Sequence, residues 1–253
     1  MATPHTAHDH GSDHQHPNDP EQEHQHGHQH GGGDQRNAWS ETDPALWFTE
    51  SFWDDRYRER PIWSGNANQR LVETATDLTP GRALDVGCGE GGDALWLAAR
   101  GWQVTATDVS PVGLERARQA AEAAGVAHAI TWEHADGRSD WTPAPAAYDL
   151  VTVSFVQFPR HELVAFHRKL AAAVAPGGTL LITAHHADSH AGEGTPFTAD
   201  LFATAAEMAA GLDLDDSWEV SATDPTRDAV FPPGPDGQLM TVRDAVLRAT
   251  RRR

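Results

Sequence analysis

The sequence predicts a doubly wound α/β domain with a mostly parallel, seven-stranded sheet, and three observations lead to that prediction. Strand and helix signals alternate from Arg82 to the end of the chain. The largely apolar run Leu150–Val156 is typical of a central parallel strand. A glycine-rich loop, residues 87–92, follows the first strand signal and leads into a helix.

The N-terminal elements begin with an aromatic-rich helix. Asp43 and Pro44 are a typical N-cap and first helical residue, so we expect a helix from there to Arg60. At a spacing of four residues, Trp53 then lies above Tyr57. The pattern further predicts strand Ala83–Val86, helix Gly92–Arg100, strand Gln103–Thr107 and a helix that Ser110 caps and Gly125 ends.

The C-terminal elements continue the alternation. One helix carries a stripe of large apolar residues from Leu163 to Val174, and His161 and His167 fall off that stripe, so we expect both histidines at the surface. The remaining predicted elements are strands Ile130–His134, Leu150–Val156, Leu180–Ala184, Trp218–Ala222 and Thr241–Leu247, and helix Ala199–Ala210.

Residues 1–37 form a histidine-rich segment with almost no apolar side chains. Such a composition cannot bury enough surface to offset the entropy of ordering, so we predict a disordered tail ahead of a domain at 38–253. Alternating imidazoles suit zinc, nickel or copper, which makes the tail a candidate site for a divalent metal. The predicted ligands are His8, His10, His24, His26, His28 and His30.

Charge and composition narrow the class of partner. The formal net charge of −18 disfavours nucleic acid and anionic membranes, which are bound by clustered Lys and Arg, and favours a small-molecule substrate. The chain has no apolar run long enough for a membrane span, and its polar, histidine-rich start leads us to expect no signal peptide. Cys88 is its only cysteine, which agrees with a reducing compartment. We therefore expect a cytoplasmic protein.

The glycine loop predicts a nucleoside site at the carboxyl ends of the strands. Gly87, Gly89 and Gly91 allow a sharp turn and a close approach of backbone to ligand. Asp108 follows at the end of the second strand, where its two oxygens suit two ribose hydroxyls. This carboxylate would serve the ligand, so we expect Asp108→Ala to leave the fold intact.

Two cofactors share this pattern, because residues 87–92 also satisfy the dinucleotide fingerprint G-x-G-x-x-G. Asp85 separates them, since a carboxylate there would repel the pyrophosphate of NAD. S-adenosylmethionine has no phosphate and carries an ammonium and a sulfonium. Asp136, after the third strand, adds a group that can accept from the exocyclic amine of adenine.

The chain resembles the class I S-adenosylmethionine-dependent methyltransferases over most of residues 45–253. The segments that carry the resemblance are LDVGCGEGG at 84–92, TDVS at 107–110, HAD at 134–136, YDLVTVSFVQFP at 148–159 and APGGTLLI at 175–182. Residues 52–68, FWDDRYRERPIWSGNAN, are similar to the entry segment of the small-molecule branch that includes tellurite-resistance and thiopurine methyltransferases.

The resemblance implies an antiparallel strand near the C-terminus and a role for each part of the site. Asp85 and the loop at Gly87, Cys88, Gly89 and Gly91 would hold the methionine end of the cofactor. Asp108 and Val109 would hold the ribose side, and Asp136 and Gly137 the adenine. Ser154 to Gln157 would face the methyl group and the acceptor, and Trp53 and Tyr57 would close over the cofactor.

Methyl transfer is an in-line displacement that needs alignment and exclusion of water, and a general base only when the acceptor arrives protonated. His185 and His186, directly after the fifth strand, are the predicted bases, with Gln157 beside them. Two alternatives remain open at this point. One is a nicotinamide-dependent oxidoreductase, and the other is a metal-handling protein whose methyltransferase-like domain is inactive.

Overall fold

The computed structural model describes residues 44–189, 201–231 and 238–253. Six α-helices and eight β-strands lie within these ranges. The helices are α1 (Glu50–Glu59), α2 (Gln69–Ala75), α3 (Gly92–Ala98), α4 (Pro111–Ala123), α5 (Arg160–Ala173) and α6 (Ala205–Leu212). The strands are β1 (Arg82–Val86), β2 (Gln103–Asp108), β3 (Ile130–His134), β4 (Tyr148–Ser154), β5 (Val174–His185), β6 (Trp218–Thr223), β7 (Thr226–Phe231) and β8 (Gln238–Arg251).

The sheet has the order β3-β2-β1-β4-β5-β8-β6, and its first five strands pair in parallel. The chain moves outward from β1 to β3 and then crosses back to β4 on the other side of β1. That reversal is a topological switch point, where open α/β sheets bind their ligands. The loops that leave β1 and β4 meet there, and they contain residues 87–92 and 155–159.

Strand β8 is antiparallel to its neighbours, as the resemblance implied, and it is longer than predicted. Its C-terminal part pairs with β5 and β6, while residues 238–243 pair with β7. The continuous order of the sheet contains seven strands, as predicted, and β7 is an additional strand that lies off this order and pairs with β8. Strand β7 was missed because its sequence, TRDAVF, mixes charged and apolar residues without a clear alternation.

The core lies on both faces of the sheet because neighbouring residues of a strand point to opposite sides. Leu84, Val151 and Leu180 belong to a cluster on one face, and Leu150 and Leu181 belong to a cluster on the other. All five are fully buried. Burial of both faces explains why these strands are largely apolar and why the pattern predicted them.

Two predicted helices begin later than expected. Residues Pro44–Phe48 form a 3-10 turn, and α1 begins only after Thr49, whose hydroxyl accepts a hydrogen bond from the backbone N–H of Phe52. Helix α6 begins at Ala205, because Thr204 and Glu207 form a reciprocal capping box. In both places a threonine cap decided the boundary.

His167 contradicts its predicted surface position, whereas His161 is exposed as expected. His167 is only 5% exposed and lies in the wall of a mostly apolar cavity of about 210 Å³ between α5 and α6. Burial lowers the pKa of His167 from 6.5 to about 4. Helix α6 covers a face of α5 that lies outside the apolar stripe of α5, and His167 is on that face. The predicted tail, residues 1–37, lies outside the described residues.

Candidate active site

The glycine loop turns sharply against two other parts of the chain. The backbone N–H groups of Gly87 and Cys88 both donate to the carbonyl of Thr107, at 2.8 and 2.9 Å. Gly87 and Gly89 have φ angles of +70° and +53°. A Cβ at Gly87 would lie 2.2 Å from Cγ2 of Val156, and one at Gly89 would lie 2.8 Å from the Tyr57 hydroxyl. Both positions therefore require glycine. Gly91, also at positive φ, precedes α3.

Asp108 joins the end of β2 to this loop. Its Oδ2 accepts from the N–H of Gly89 and its Oδ1 from the N–H of Ser110, both at 2.8 Å. The residue is 7% exposed, and burial raises the pKa of its carboxyl group. The carboxylate thus lies where the sequence analysis placed it, at the edge of the loop. It also holds the loop in shape, a role that the sequence did not suggest.

Two further carboxyl groups, buried Asp85 and half-buried Asp93, lie near the loop. Asp85 is 1% exposed and its Oδ2 has no hydrogen-bond partner among the described residues. Burial, with the nearby charges of Asp93 and Asp108, raises its pKa well above the ordinary value. Asp93 accepts from the N–H of Asn68 at 2.6 Å and from the Ser154 hydroxyl at 3.0 Å. Three carboxyl groups therefore concentrate negative charge at the carboxyl end of β1.

Aromatic side chains from α1 and the segment after it lie against the loop. Trp53 stacks on Tyr57 with ring centroids 5.9 Å apart, and the Trp63 indole N–H donates to the Tyr57 hydroxyl at 3.1 Å. Glu90 fixes this arrangement, because its carboxylate accepts from the N–H groups of Ile62 and Trp63 at 2.9 and 3.0 Å. The structure thus brings Trp53 and Tyr57 to the loop.

The segment after β3 lies beside the end of β2. The N–H of Ala135 donates to the carbonyl of Asp108 at 3.0 Å, and His134 Nε2 hydrogen-bonds with the carbonyl of Val109 at 3.0 Å. Asp136 accepts from the N–H of Arg138 through one oxygen, Oδ1. Gly137 packs so closely on Phe166 that a Cβ there would lie 2.6 Å from the ring. The four residues predicted for the ribose and adenine side, Asp108, Val109, Asp136 and Gly137, are therefore neighbours.

The end of β4 forms the other side of the site. Ser154 bonds to Asp93, and Val156 covers Gly87. Phe155 has a φ of +58°, which is uncommon for a bulky residue and costs backbone strain. The side-chain oxygen of Gln157 is buried and has no hydrogen-bond partner among the described residues.

The two predicted bases differ in their surroundings. His185 is half-buried and stacks on Phe155, with ring centroids 4.3 Å apart. His186 is 6% exposed, and its Nδ1 accepts from the N–H of Asp188 at 3.2 Å. Only His185 contacts a residue of the β4 loop through its ring. The geometry therefore favours His185 over His186 as the histidine of the site.

Sequence reasoning missed Asp93, Glu90 and Arg227. Asp93 stands in the first turn of α3, where an acid is common, so nothing marked it as a site residue. Glu90 lies inside the loop motif itself. Arg227 lies on β7, the strand that was not predicted, and its guanidinium carbon is 5.4 Å from the centre of the Phe155 ring. The predicted metal ligands, from His8 to His30, lie outside the described residues. Within the described ranges no cluster of three potential ligands could hold a metal ion.

Comparisons with known proteins agree with this geometry. Residues 83–178 match the family model of a methyltransferase domain. The tRNA 5-carboxymethoxyuridine methyltransferase of Escherichia coli K12 is 34% identical over 110 residues, which are 42% of this chain and 41% of that protein. The ubiquinone biosynthesis O-methyltransferase of Xanthomonas euvesicatoria is 28% identical over 145 residues, 57% and 60% of the two chains. This chain thus spans less than two thirds of either relative.

Two solved structures share the fold. One was reported for the conversion of a disulfide bond into a thioacetal group during echinomycin biosynthesis, with a TM-score of 0.63 and 26% identity over 80% of this chain and 91% of that one. The other is TehB from Haemophilus influenzae, with a TM-score of 0.60 and 18% identity over 79% of this chain and 67% of TehB. The comparisons give no support to the nicotinamide alternative. Residues 83–178 are therefore similar to a methyltransferase domain, and the chain shares its fold with S-adenosylmethionine-dependent methyltransferases.

Proposed function

We propose that this protein transfers a methyl group from S-adenosylmethionine to a small-molecule acceptor. The main observation is a cluster of three carboxyl groups around a glycine loop, of which Asp85 and Asp108 are buried and Asp93 is half-buried. Such a cluster suits a cationic ligand and repels a pyrophosphate. The unpartnered oxygen of Asp85 leaves one acceptor unused. The residues therefore fit a cofactor that carries an ammonium and a sulfonium.

Each predicted cofactor residue has a place in this proposal. Asp85, Asp93 and the loop from Gly87 to Gly91 would hold the methionine end. Asp108 has a second lone pair on each oxygen for the ribose hydroxyls, beyond the two backbone bonds that it already accepts. Val109, Asp136 and Gly137 would hold the adenine. Trp53 and Tyr57, anchored through Trp63 and Glu90, would exclude water from the donor.

The acceptor would lie beyond the end of β4. S-adenosylmethionine supplies, when bound, a methyl group on a positively charged sulfur. The chain has then to align an acceptor atom with that methyl group and keep water away. Ser154 to Gln157 line this edge, and His185 is the nearest candidate for receiving a proton from a hydroxyl or ammonium acceptor. A thiolate acceptor would need no base.

A small acceptor is favoured over a nucleic acid by charge. The net charge of −18 opposes the approach of a polyanion, although one relative is a tRNA methyltransferase. We also place the protein in the cytoplasm, in keeping with its single cysteine. No helix among the described residues is long and apolar enough to cross a membrane.

Calorimetric titration of the full chain tests the donor half of the proposal. We expect S-adenosylmethionine and S-adenosylhomocysteine to bind, and NADH not to bind. Binding of NADH that survives Asp85→Ala would overturn the proposal in favour of an oxidoreductase. A methyl-transfer screen with thiols, halides, selenite, tellurite and small phenols, read by release of S-adenosylhomocysteine, then tests the acceptor class.

The histidine-rich tail is tested separately. We infer that His8 to His30 bind a divalent metal independently of methyl transfer, because their alternating imidazoles are suitable ligands. Deletion of residues 1–35 should abolish zinc or nickel binding and leave methyl transfer unchanged. Loss of methyl transfer in the deletion variant, or in the full chain with a chelator, would contradict this separation.

A further inference from the structure

Two arginines, buried Arg70 and half-buried Arg227, lie next to the acceptor side of the site. Asp244, fully buried on β8, accepts from Arg70 Nε at 3.2 Å and from Arg227 Nε at 2.8 Å. One carboxylate is therefore shared by two guanidinium groups. Arg70 finds a second carboxylate in Glu73, at 3.0 Å, and also donates to the carbonyl of Thr226. Among the described residues, Arg227 has no second carboxylate.

Arg227 keeps unused hydrogen-bonding capacity. Its Nε is taken by Asp244, yet neither of its terminal amino groups, Nη1 and Nη2, has a hydrogen-bond partner within the described part of the chain. The side chain is 23% exposed. A half-buried guanidinium with two unpaired amino groups is suited to a bidentate contact with a carboxylate.

The position of Arg227 relates it to the methyl donor. Its guanidinium carbon lies 5.4 Å from the centre of the Phe155 ring, and His185 stacks on the same ring. The residues on either side of Phe155 contact the donor site, since Ser154 bonds to Asp93 and Val156 covers Gly87. Arg227 therefore faces the region where an acceptor would meet the donor. The strained backbone of Phe155 lies at the junction of the two sites.

We propose that Arg227 binds a carboxylate of the methyl acceptor, whose planar body lies along Phe155 and His185. This inference rests on the proposed methyltransferase function and names its substrate class. The two free amino groups of Arg227 match the two oxygens of a carboxylate. Because Asp244 and Glu73 balance the charges of Arg227 and Arg70, the cluster has no surplus charge for a phosphate dianion. The strongly acidic chain makes such a local cation necessary, because an anionic acceptor would otherwise be repelled.

The test uses benzoate, benzamide and phenyl phosphate as probes on the full chain saturated with S-adenosylhomocysteine. We expect benzoate to bind at least about tenfold more tightly than benzamide, a difference of about 1.4 kcal/mol. Arg227→Gln should remove this preference, and Arg227→Lys should keep part of it, because a lysine retains the charge and loses the planar fork. Arg248→Gln, at an exposed position of β8, is the matched control and should change nothing.

Binding of S-adenosylhomocysteine separates this inference from the proposed function. It should stay within about twofold of the unaltered chain in all three variants, which also shows that they fold. Equal binding of benzoate and benzamide, or a preference that survives Arg227→Gln, would overturn the carboxylate role while leaving methyl transfer intact. Tighter binding of phenyl phosphate than of benzoate would replace the carboxylate by a phosphate and overturn it too. Absence of S-adenosylhomocysteine binding in the unaltered chain would instead refute the proposed function.

Discussion

The proposed donor half of the site, residues 82–137, and the proposed acceptor half, the described residues from 154 onward, are built in different ways. In the donor half the decisive contacts join neighbouring strands or near neighbours in sequence, such as Gly89 and Ser110 to Asp108. In the acceptor half, Asp244 bonds to Arg70 across 174 positions of the chain. Local patterns can therefore encode the donor half, whereas the acceptor half exists only after the sheet has formed.

The two halves also differ in how acid acts on them. Burial raises the pKa of Asp85, Asp93 and Asp108 in the donor half, so protonation of these groups removes a desolvated charge from the folded state. Burial lowers the pKa of His167 in the acceptor half, so its protonation is disfavoured in the folded state. A fall in pH therefore stabilises the folded form through the three aspartates and destabilises it through His167.

The largest expected effect is acid destabilisation through His167. Its contribution is complete above the ordinary pKa of 6.5 and is lost as the pH falls from 6.5 to about 4. The loss amounts to about 3 kcal/mol of unfolding free energy. Urea titrations across this range should show that His167→Leu removes the slope. His161→Gln, on the exposed face of the same helix, is the control. An unchanged slope in His167→Leu would show that His167 is not the group responsible.

Asp108→Ala should weaken both cofactor binding and the stability of the fold, because Asp108 contributes to each. We expect cofactor affinity to fall about 100-fold, or about 2.7 kcal/mol. Unfolding free energy should also fall by about 2 kcal/mol, because the N–H groups of Gly89 and Ser110 lose their acceptor. This replaces the expectation from sequence that the fold would be unaffected. Calorimetry measures the cofactor affinity and urea titration measures the unfolding free energy. An unchanged unfolding free energy in the variant would show that Asp108 serves the ligand alone.

Asp85→Asn should separate affinity from stability. The amide cannot pair with an ammonium, so cofactor affinity should fall about tenfold, or about 1.4 kcal/mol. The cofactor-free protein should melt a few degrees higher, because a buried charge near Asp93 and Asp108 is removed. The gain should shrink at low pH, where Asp85 is already protonated. A lower melting temperature at neutral pH would contradict the raised pKa of this carboxyl.

Glu90→Gln should have the smallest effect and tests the aromatic segment. Its carboxylate accepts from Ile62 and Trp63 and from Arg116, so the amide keeps one acceptor and loses the charge. We expect cofactor binding to weaken about threefold, with a change in Trp63 fluorescence. Glu115→Gln, at the exposed surface of α4, is the matched control. Equal affinities would show that residues 52–63 do not close over the cofactor.

The elements that the sequence predicted well are those with a strong local signal. Strands β1 to β3 agree with prediction within a residue. In β1 and β2 the prediction rests on buried apolar residues, with Gly81 and Gly101 shortly before each strand. Ser110 caps α4 as expected, accepting from the N–H of Gly113. The burial of His167 could not be predicted, because α6 covers it from a distant part of the chain.

The sequence by itself determined the class of fold and predicted the donor site. Asp85 and Asp108 stand on the adjacent parallel strands β1 and β2, whose order follows from the βαβ pattern, and Gly87 and Gly89 lie in the loop that leaves β1. Only the tertiary structure decided which charged side chains lie at the proposed acceptor half of the site. Arg227 and Asp244 carry no pattern of their own, and they meet Phe155 and His185 because an antiparallel hairpin folds back onto the end of β5. Long-range pairing of this kind depends on chain topology and has no local signature.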